Sequence, residues 1–350
     1  MFKQAFATFL LLACLGLAGT AAAQAQSCGA PSLADRVELK PVAASHLMTV
    51  PVMIEGASKQ FLLAVGANPD EISQAAATEL HLAQPEQHTA YNSLSELNET
   101  LQYRAPVIDV RSAGAAAAKV YQPRVRATAF TIGTATLPGL QFLVSNDRDL
   151  GVSKPYDGLL TAAGFRQYDM DMDFGGKQLT FLAARTGCAD PNQIVRWPHG
   201  VIAVIAMRMN NGKMSIPVTV MGHEIEAVID TGSERSVMRR AIAERLLGLK
   251  PDSDMASAGD LRDGTGQRVY QHIFPEIRFE GVVASNVPAL IQEYSLVRPA
   301  RRAVVTGSRL QAADTPGEVV PDLTLGMDVL SQLHIFAAFQ DNKLYVTANS

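Results

Sequence analysis

The chain repeats itself, and this internal repeat constrains its fold more than any other feature of the sequence. The stretch IPVTVMGHEIEAVIDTGSERSVMRRAIAERL starts at Ile216 and aligns without a gap with VPVMIEGASKQFLLAVGANPDEISQAAATEL, which starts at Val50. Each copy predicts an alternating strand, a Gly turn, a second apolar strand, another Gly turn and a helix rich in Ala and Leu. Such self-similarity indicates that one supersecondary unit occurs twice.

A second pair of segments closes the two copies. DGLLTAAGFRQYDMDMDFGGKQLTF starts at Asp157, and DLTLGMDVLSQLHIFAAFQDNKLYV starts at Asp322, again without gaps and at nearly the same offset. Each predicts a strand, a short helical turn and a final β-hairpin. Two ungapped matches at nearly one offset indicate a duplicated, mostly β unit.

The repeat also sets the predicted domain boundaries. The two units cover residues 45–185 and 200–348, and a polar, Pro-containing linker at 186–199 joins them. The linker holds Trp197, which is expected to pack at the junction of the two units.

The second copy carries a motif with chemical meaning. A short apolar run ends in Asp230-Thr231-Gly232-Ser233, so a carboxylate stands where a buried strand breaks into a Gly turn. Together with the closing segments and the duplication, this motif resembles the retropepsin-like aspartic proteases, in particular bacterial exported members. The resemblance implies two retropepsin-like β-barrel lobes related by a pseudo-twofold axis, each with a short helix, and a cleft between the lobes.

The resemblance assigns a role to each residue of the motif. Asp230 is the catalytic carboxylate, and the Thr231 hydroxyl locks the two active loops together. Gly232 allows a tight turn and brings backbone N–H groups close to the carboxylate. Ser233 is expected to donate a hydrogen bond to the outer oxygen of Asp230.

A Gly-tipped hairpin closes over the substrate in this family. The segment LRDGTGQRVY at 261–270 matches it, and Gly264 and Gly266 stand at the expected tip of this flap.

The first copy lacks the acid. Ala64-Val65-Gly66-Ala67 stands where the second copy has its motif, so only the Gly is retained. Hydrolysis by this mechanism needs two carboxylates, because a close pair shares one proton and supplies a base and an acid together. A lone Asp supplies one role at a time.

Three interpretations follow from the missing acid. In the first, a carboxylate from another position reaches Asp230, and Asp70 and Glu71 are the closest in sequence. In the second, two chains associate and bring two copies of Asp230 together. In the third, the protein is a pseudoprotease that binds peptides or a partner in its cleft. The predicted function is an aspartic-type endopeptidase that hydrolyses peptide bonds through Asp230, with doubtful activity, and the pseudoprotease is the alternative.

The N-terminus predicts export. A basic residue, an apolar stretch and the small residues before position 26 are typical of a signal peptide over residues 1–25, so a periplasmic or secreted location is expected. Lipidation at Cys14 is a weaker alternative. Cys28 and Cys188 then remain, and in an oxidising compartment they predict a disulfide, with two buried free thiols as the alternative.

The remaining patterns exclude other classes of protein. A net charge of -4 and a pI near 6.0 argue against a nucleic-acid partner. Nucleotide-binding glycine motifs and zinc-binding His spacings do not occur, and DMDMDF at 169–174 lacks the last acid of a calcium loop. We therefore expect no cofactor, no metal and no membrane span after signal removal. The expected partner is a peptide or protein substrate, and the chain is a monomer with pseudo-dimeric lobes or a homodimer.

Overall fold

A computed structural model describes residues 32–67, 70–82, 106–108, 119–121, 124–145, 155–184, 191–195, 197, 201–210, 212–260, 268–293, 302–306, 309–313 and 321–349. The predicted signal peptide and the predicted disulfide partners Cys28 and Cys188 lie outside these residues. The described part is mostly β, as predicted.

Fourteen of the described strands belong to the first copy and its N-terminal approach. They are β1 (Leu33–Glu38), β2 (Lys40–Pro41), β3 (Met48–Ile54), β4 (Ala57–Leu63), β5 (Glu71–Ser73), β6 (Pro106–Ile108), β7 (Lys119–Tyr121), β8 (Arg124–Arg126), β9 (Ala129–Ile132), β10 (Ala135–Pro138), β11 (Gln141–Ser145), β12 (Gly158–Leu160), β13 (Tyr168–Asp173) and β14 (Gln178–Ala183).

The second copy contributes the other described strands. They are β15 (Ala203–Ala206), β16 (Arg208–Asn210), β17 (Lys213–Val220), β18 (His223–Ile229), β19 (Ser236–Arg239), β20 (Ala256–Asp260), β21 (Arg268–Phe279), β22 (Val282–Gln292), β23 (Arg302–Thr306), β24 (Arg309–Ala313), β25 (Leu323–Leu325), β26 (Leu333–Ala338) and β27 (Lys343–Ala348).

The described helices are short. They are Gln74–Glu79, the 3₁₀ turn Ala163–Phe165, Pro191–Val195, Arg240–Arg245 and Met327–Leu330. Ser73 caps the first of them, since its hydroxyl accepts a hydrogen bond from the Ala76 N–H. Among the residues described, no helix has the length and apolarity needed to cross a bilayer.

Each copy folds into a closed barrel-like lobe. In the second lobe, β21 pairs with β22 and also with β17, so the path β17–β18–β25–β19–β22–β21 returns to its start. The first-lobe hairpin that corresponds to β21–β22 is interrupted in both of its arms. Strand β8 pairs with β11, and strand β9 pairs with β10. This hairpin joins β3 on one side and β5 on the other. Residues 127–144 of the first lobe and 275–291 of the second therefore form matching hairpins.

The strand registers reproduce the sequence repeat. Val50 stands opposite Phe61 in the β3–β4 pair, and Ile216 stands opposite Ala227 in the β17–β18 pair. Both partners are shifted by the same 166 positions that align the two copies in sequence. Because a one-residue slip would turn every side chain to the other face, this agreement shows that the apolar pattern sets the register in both lobes.

One sheet joins the lobes. Its order is β1–β14–β13–β26–β27–β15, and the central β13–β26 pair places a strand of the first lobe beside its counterpart from the second. Across this pair the His334 Nε2 atom lies 2.7 Å from the Asp171 Oδ1 atom. The Trp197 ring packs on His334 with 4.3 Å between ring centroids, so the linker residue lies at the lobe junction as predicted.

The linker region is more structured than the sequence suggested. Residues Pro191–Val195 form a helix, and Ile194 and Val195 pack with Phe336 and Tyr345 on the outer face of the shared sheet. The apolar pair Ile-Val was too short to show a helical period in the sequence.

The first lobe has an aromatic core although Ala64 stands where the second lobe has Asp230. Phe61, Phe130 and Phe142 are fully buried, and their ring centroids lie 5.6 to 6.3 Å apart. Aromatic groups at these separations add edge-to-face attraction to the burial of apolar area. The lobe is thus maintained by its own packing.

Replacing Phe61 with Ala should lower the free energy of unfolding by about 3–5 kcal/mol, because it leaves a cavity among three packed rings. The measurement is urea unfolding followed by fluorescence and circular dichroism. Met53→Ala, which truncates a side chain 41% exposed on the neighbouring strand, serves as the control and should have a much smaller effect. Equal losses in the two variants would contradict the packing argument.

Candidate functional site

The two predicted active loops meet at the contact between the lobes. Asp230 follows β18, and its N–H donates to the Leu325 carbonyl oxygen at 3.0 Å. Ala64 follows β4, and its N–H donates to the Leu160 carbonyl oxygen at 2.8 Å. Each loop therefore leaves its barrel by the same hydrogen bond to the parallel strand beside it.

Glycine is required at the point of closest approach. A Cβ atom built on Gly66 would lie 2.5 Å from the Asp230 Cβ atom, and one built on Gly232 would lie 2.8 Å from the Ala64 Cβ atom. Real Cβ contacts are longer than this, so any side chain would push the loops apart. This contact explains why Gly is the one motif residue that both copies share.

Thr231 joins the two loops through its side chain. The buried Thr231 hydroxyl donates to the Leu63 carbonyl oxygen at 2.6 Å and accepts from the Val65 N–H at 3.1 Å. One hydroxyl thus satisfies a donor and an acceptor of the opposite loop. Val65 holds the equivalent position in the first lobe and has no hydroxyl. The side-chain link is therefore supplied by the second lobe alone, through Thr231.

The Asp230 carboxyl lies in a partly buried position at this contact. Burial raises its pKa above the ordinary value, and N–H groups of Gly232 and Gly66 and the nearby charge of Lys213 act in the opposite direction. The Gly232 N–H donates to Oδ1 at 2.9 Å. Desolvation, rather than a second carboxylate, is therefore the main influence that favours the protonated acid.

Ser233 does not take the role expected for it. Its hydroxyl donates to the Arg235 carbonyl oxygen at 2.8 Å, while its N–H donates to the Asp230 carbonyl oxygen at 3.2 Å. The N–H bond closes the turn, and the turn directs the hydroxyl toward the outgoing strand. In the first lobe, Ala67 closes the turn in the same way, with its N–H donating to the Ala64 carbonyl oxygen at 2.9 Å.

Asp70, the first candidate for a second acid, is directed into its own lobe. Its Oδ1 atom accepts from the Thr161 N–H at 2.6 Å, and burial raises its pKa to about 6. In the second lobe the Ser236 hydroxyl accepts from the Gly326 N–H at 3.1 Å at the equivalent place. Asp70 is therefore the counterpart of a structural serine.

Glu71, the other candidate, lies near Tyr156. Burial raises the pKa of Tyr156, and the charge of Glu71 adds to this. The structure thus places both candidate carboxylates in interactions within the first lobe.

Sequence reasoning missed a contact that ties the first lobe to the active loop. The Ser45 hydroxyl donates to Glu234 Oε2, and the His46 N–H donates to Glu234 Oε1 at 3.1 Å. Glu234 stands four positions beyond Asp230, whereas Ser45 and His46 stand just before β3. They do not occupy equivalent positions of the repeat, so no sequence signal paired them.

The flap is described only in its strands. Gly264 and Gly266 lie outside the described residues. Below the tip, β20 and β21 pair antiparallel from Asp260 opposite Arg268 to Ala256 opposite Gln271, with an irregularity before Gly259. Within the described residues, no group of three His, Cys, Asp or Glu side chains is arranged to hold a metal ion.

Comparisons with known proteins bear on the second lobe. A family model described as aspartyl protease matches residues 216–329, from β17 into the helix after Gly326. The match suggests an aspartic peptidase-like function. The solved structures of conglutin gamma, a basic 7S globulin from lupine seeds, and of basic 7S globulin from soybean are similar at 10% and 11% identity, with TM-scores of 0.47 and 0.44. Both cover 91% of this chain, and 96% and 95% of their own chains. No curated protein matches the sequence.

Replacing Thr231 with Val should lower the free energy of unfolding by about 1–3 kcal/mol, because it leaves the Leu63 carbonyl and the Val65 N–H buried without their partner. Urea unfolding measures the loss. Thr131→Val removes an exposed hydroxyl contact with Thr136 and serves as the matched control; its effect should stay within about 0.5 kcal/mol. A Thr231 variant as stable as this control would refute the role of the link.

The raised pKa of Asp70 predicts a pH-dependent stability. Between its unfolded value near 4 and its folded value of about 6, the folded protein binds more protons than the unfolded chain. The contribution of Asp70 to the free energy of unfolding should therefore fall as pH rises from 4 to 6, by up to about 3 kcal/mol. Asp70→Asn should remove this part of the slope in urea titrations from pH 4 to 7. Parallel slopes in the two proteins would contradict the assignment.

Proposed function

We propose that this protein is an aspartic-type endopeptidase-like protein that binds an extended peptide between its lobes, with Asp230 as the acid that acts on the peptide bond. The observation that carries the proposal is the position of Asp230, partly buried where the two active loops meet. The family match to the second lobe supports the same chemistry. The proposal includes an exported, periplasmic or secreted location, which cell fractionation would test.

The structure of the opposite loop limits the rate of this chemistry. In the close pair that the mechanism uses, the ionised acid takes a proton from water while the protonated acid donates to the carbonyl oxygen. Ala64 supplies neither group. The loss of one partner of an acid–base pair costs about 10²–10⁴-fold in rate. Hydrolysis through Asp230 alone is therefore expected to be slow.

A homodimeric active site does not fit this geometry. Gly66 of the first lobe already lies against Asp230, in the place that a second chain would have to occupy. The remaining alternative is a pseudoprotease that binds peptides or a partner without cleaving them, and the replacement of the first-lobe acid by Ala64 is the observation in its favour.

Cleavage of a fluorescence-quenched peptide library from pH 3 to 8 separates these functions. Asp230→Asn should abolish the cleavage shown by the wild type. Ala64→Asp should raise the rate by about 10²–10⁴-fold, since it restores the second acid. Ala64→Asn has the same shape without the acid and should remain at the wild-type rate.

Each outcome of this experiment has a defined meaning. Cleavage that persists in Asp230→Asn would reject the proposed role of Asp230. No cleavage by the wild type, together with peptide binding measured by fluorescence anisotropy, would favour the pseudoprotease. Equal rates in the folded Ala64→Asp and Ala64→Asn variants would show that the missing acid is not what limits catalysis.

A further inference from the structure

A cavity of about 780 Å³ lies on the flap side of the second lobe. It is lined by the base of the flap strands, by β22, by the turn at 252–256 and by the loop that follows Asp230, and His46 of the first lobe also lines it. We call it the outer cavity. Its volume falls within the range of about 300–1,000 Å³ that is usual for sites that bind small ligands or side chains.

Part of the lining of the outer cavity is apolar. Met255, Ile273, Pro288 and Leu290 contribute to its lining. Ile273 is 63% exposed although it is a large aliphatic side chain in the middle of β21. An exposed aliphatic side chain beside a concavity offers a contact surface for the apolar part of a ligand.

The charged part of the lining is mostly acidic. Among the described residues that line it, four carry carboxylates, namely Glu234, Asp252, Asp254 and Asp328, and one, Arg235, carries a guanidinium. A wall of this composition favours a positively charged ligand group.

Two of these carboxylates are already used by the fold. Glu234 accepts hydrogen bonds from the turn of the first lobe, and Asp328 accepts from the Ser236 N–H at 2.9 and 3.0 Å and from its hydroxyl at 2.7 Å.

The other two carboxylates stand at the exposed turn. Asp254 Oδ2 accepts from the Lys250 N–H at 2.9 Å, and within the described residues no hydrogen bond or ion pair involves the Asp252 carboxylate. Asp252 and Asp254 are therefore the groups able to meet a ligand cation.

The outer cavity is connected to the proposed peptide site through the chain itself. Glu234 and Arg235 line the cavity and belong to the loop that holds Asp230. Arg235 is five residues from Asp230, and five residues of extended chain span at most about 18 Å. A peptide bound at Asp230 would therefore reach the outer cavity within about five of its own residues.

We propose that the outer cavity binds a Lys or Arg side chain of the peptide that lies between the lobes. The aliphatic stem packs along Ile273 and Leu290, and the charged end meets Asp252 and Asp254. Long basic side chains suit such a place because they combine an apolar stem with a cationic head. This proposal rests on the proposed function, since it assigns the preference of the same peptide site for one class of residue.

Fluorescence anisotropy with paired decapeptides tests the proposal. The fluorescein-labelled peptides are composed of Ala, Ser and Leu. In each pair, one peptide has Arg at a chosen position and the other has citrulline, its uncharged isostere, and the position is varied from pair to pair. At one position or two adjacent positions, the wild-type protein should bind the Arg peptide about fivefold more tightly, as expected for one cation near two partly exposed carboxylates. The double variant Asp252→Asn/Asp254→Asn should bind the two peptides equally.

Glu280→Gln serves as the matched control. It removes a carboxylate at the turn of the β21–β22 hairpin, seven residues and about 23 Å along the strand from Ile273, and should retain the preference. Circular dichroism and thermal unfolding check that the variants fold.

The outcomes separate the two proposals. Equal affinity for Arg and citrulline at every position, with clear peptide binding, would overturn the assignment of the outer cavity and leave the proposed function standing. A preference for Arg that persists in the double Asn variant would show that another site binds the cation, and would also overturn it. No binding of any peptide would reject both proposals.

Discussion

The contact between the two active loops is the interaction on which the rest of this structure depends. Two glycines allow the backbones to approach so closely that a single added Cβ would separate them, and the Thr231 hydroxyl then satisfies a carbonyl and an N–H of the opposite loop. Because these groups are buried, losing their partner is costly. This contact fixes the position of Asp230 relative to both lobes, and hence the place where a peptide would meet an acid.

The first lobe has Ala64 at the position of Asp230 and still supports the second lobe. Its Gly66 supports the second lobe at the point of closest approach, and its N–H helps to stabilise the charged form of Asp230. Its core of packed aromatic rings remains complete. The first lobe therefore packs against the Asp230 loop and, among the described residues, brings no carboxylate of its own active loop to it.

Equivalent positions in the lobes perform the same structural task with different chemistry. In the second lobe Asp328 of the terminal helix binds Ser236 of the strand, and Ser236 in turn binds the Gly326 N–H. In the first lobe the strand position is Asp70, which binds the Thr161 N–H directly, and the helix position is Ala163. The carboxylate is on the helix in the second lobe and on the strand in the first. Asp70 was a candidate for the second catalytic acid because it is close in sequence, whereas its hydrogen bond shows a structural role.

The sequence by itself determined the duplication, the order of the strands along the chain, the linker position of Trp197 and an acid in a D-T-G context. These features follow from periodic apolar patterns and local turn chemistry, which depend only on residues that are close in sequence. Only the tertiary structure decided that the Ser233 hydroxyl turns away from Asp230, that Ser45 and His46 contact Glu234, and that apolar and acidic side chains line the same outer cavity. Each of these depends on how two distant segments are placed against one another, and that placement results from the packing of both lobes rather than from any local pattern.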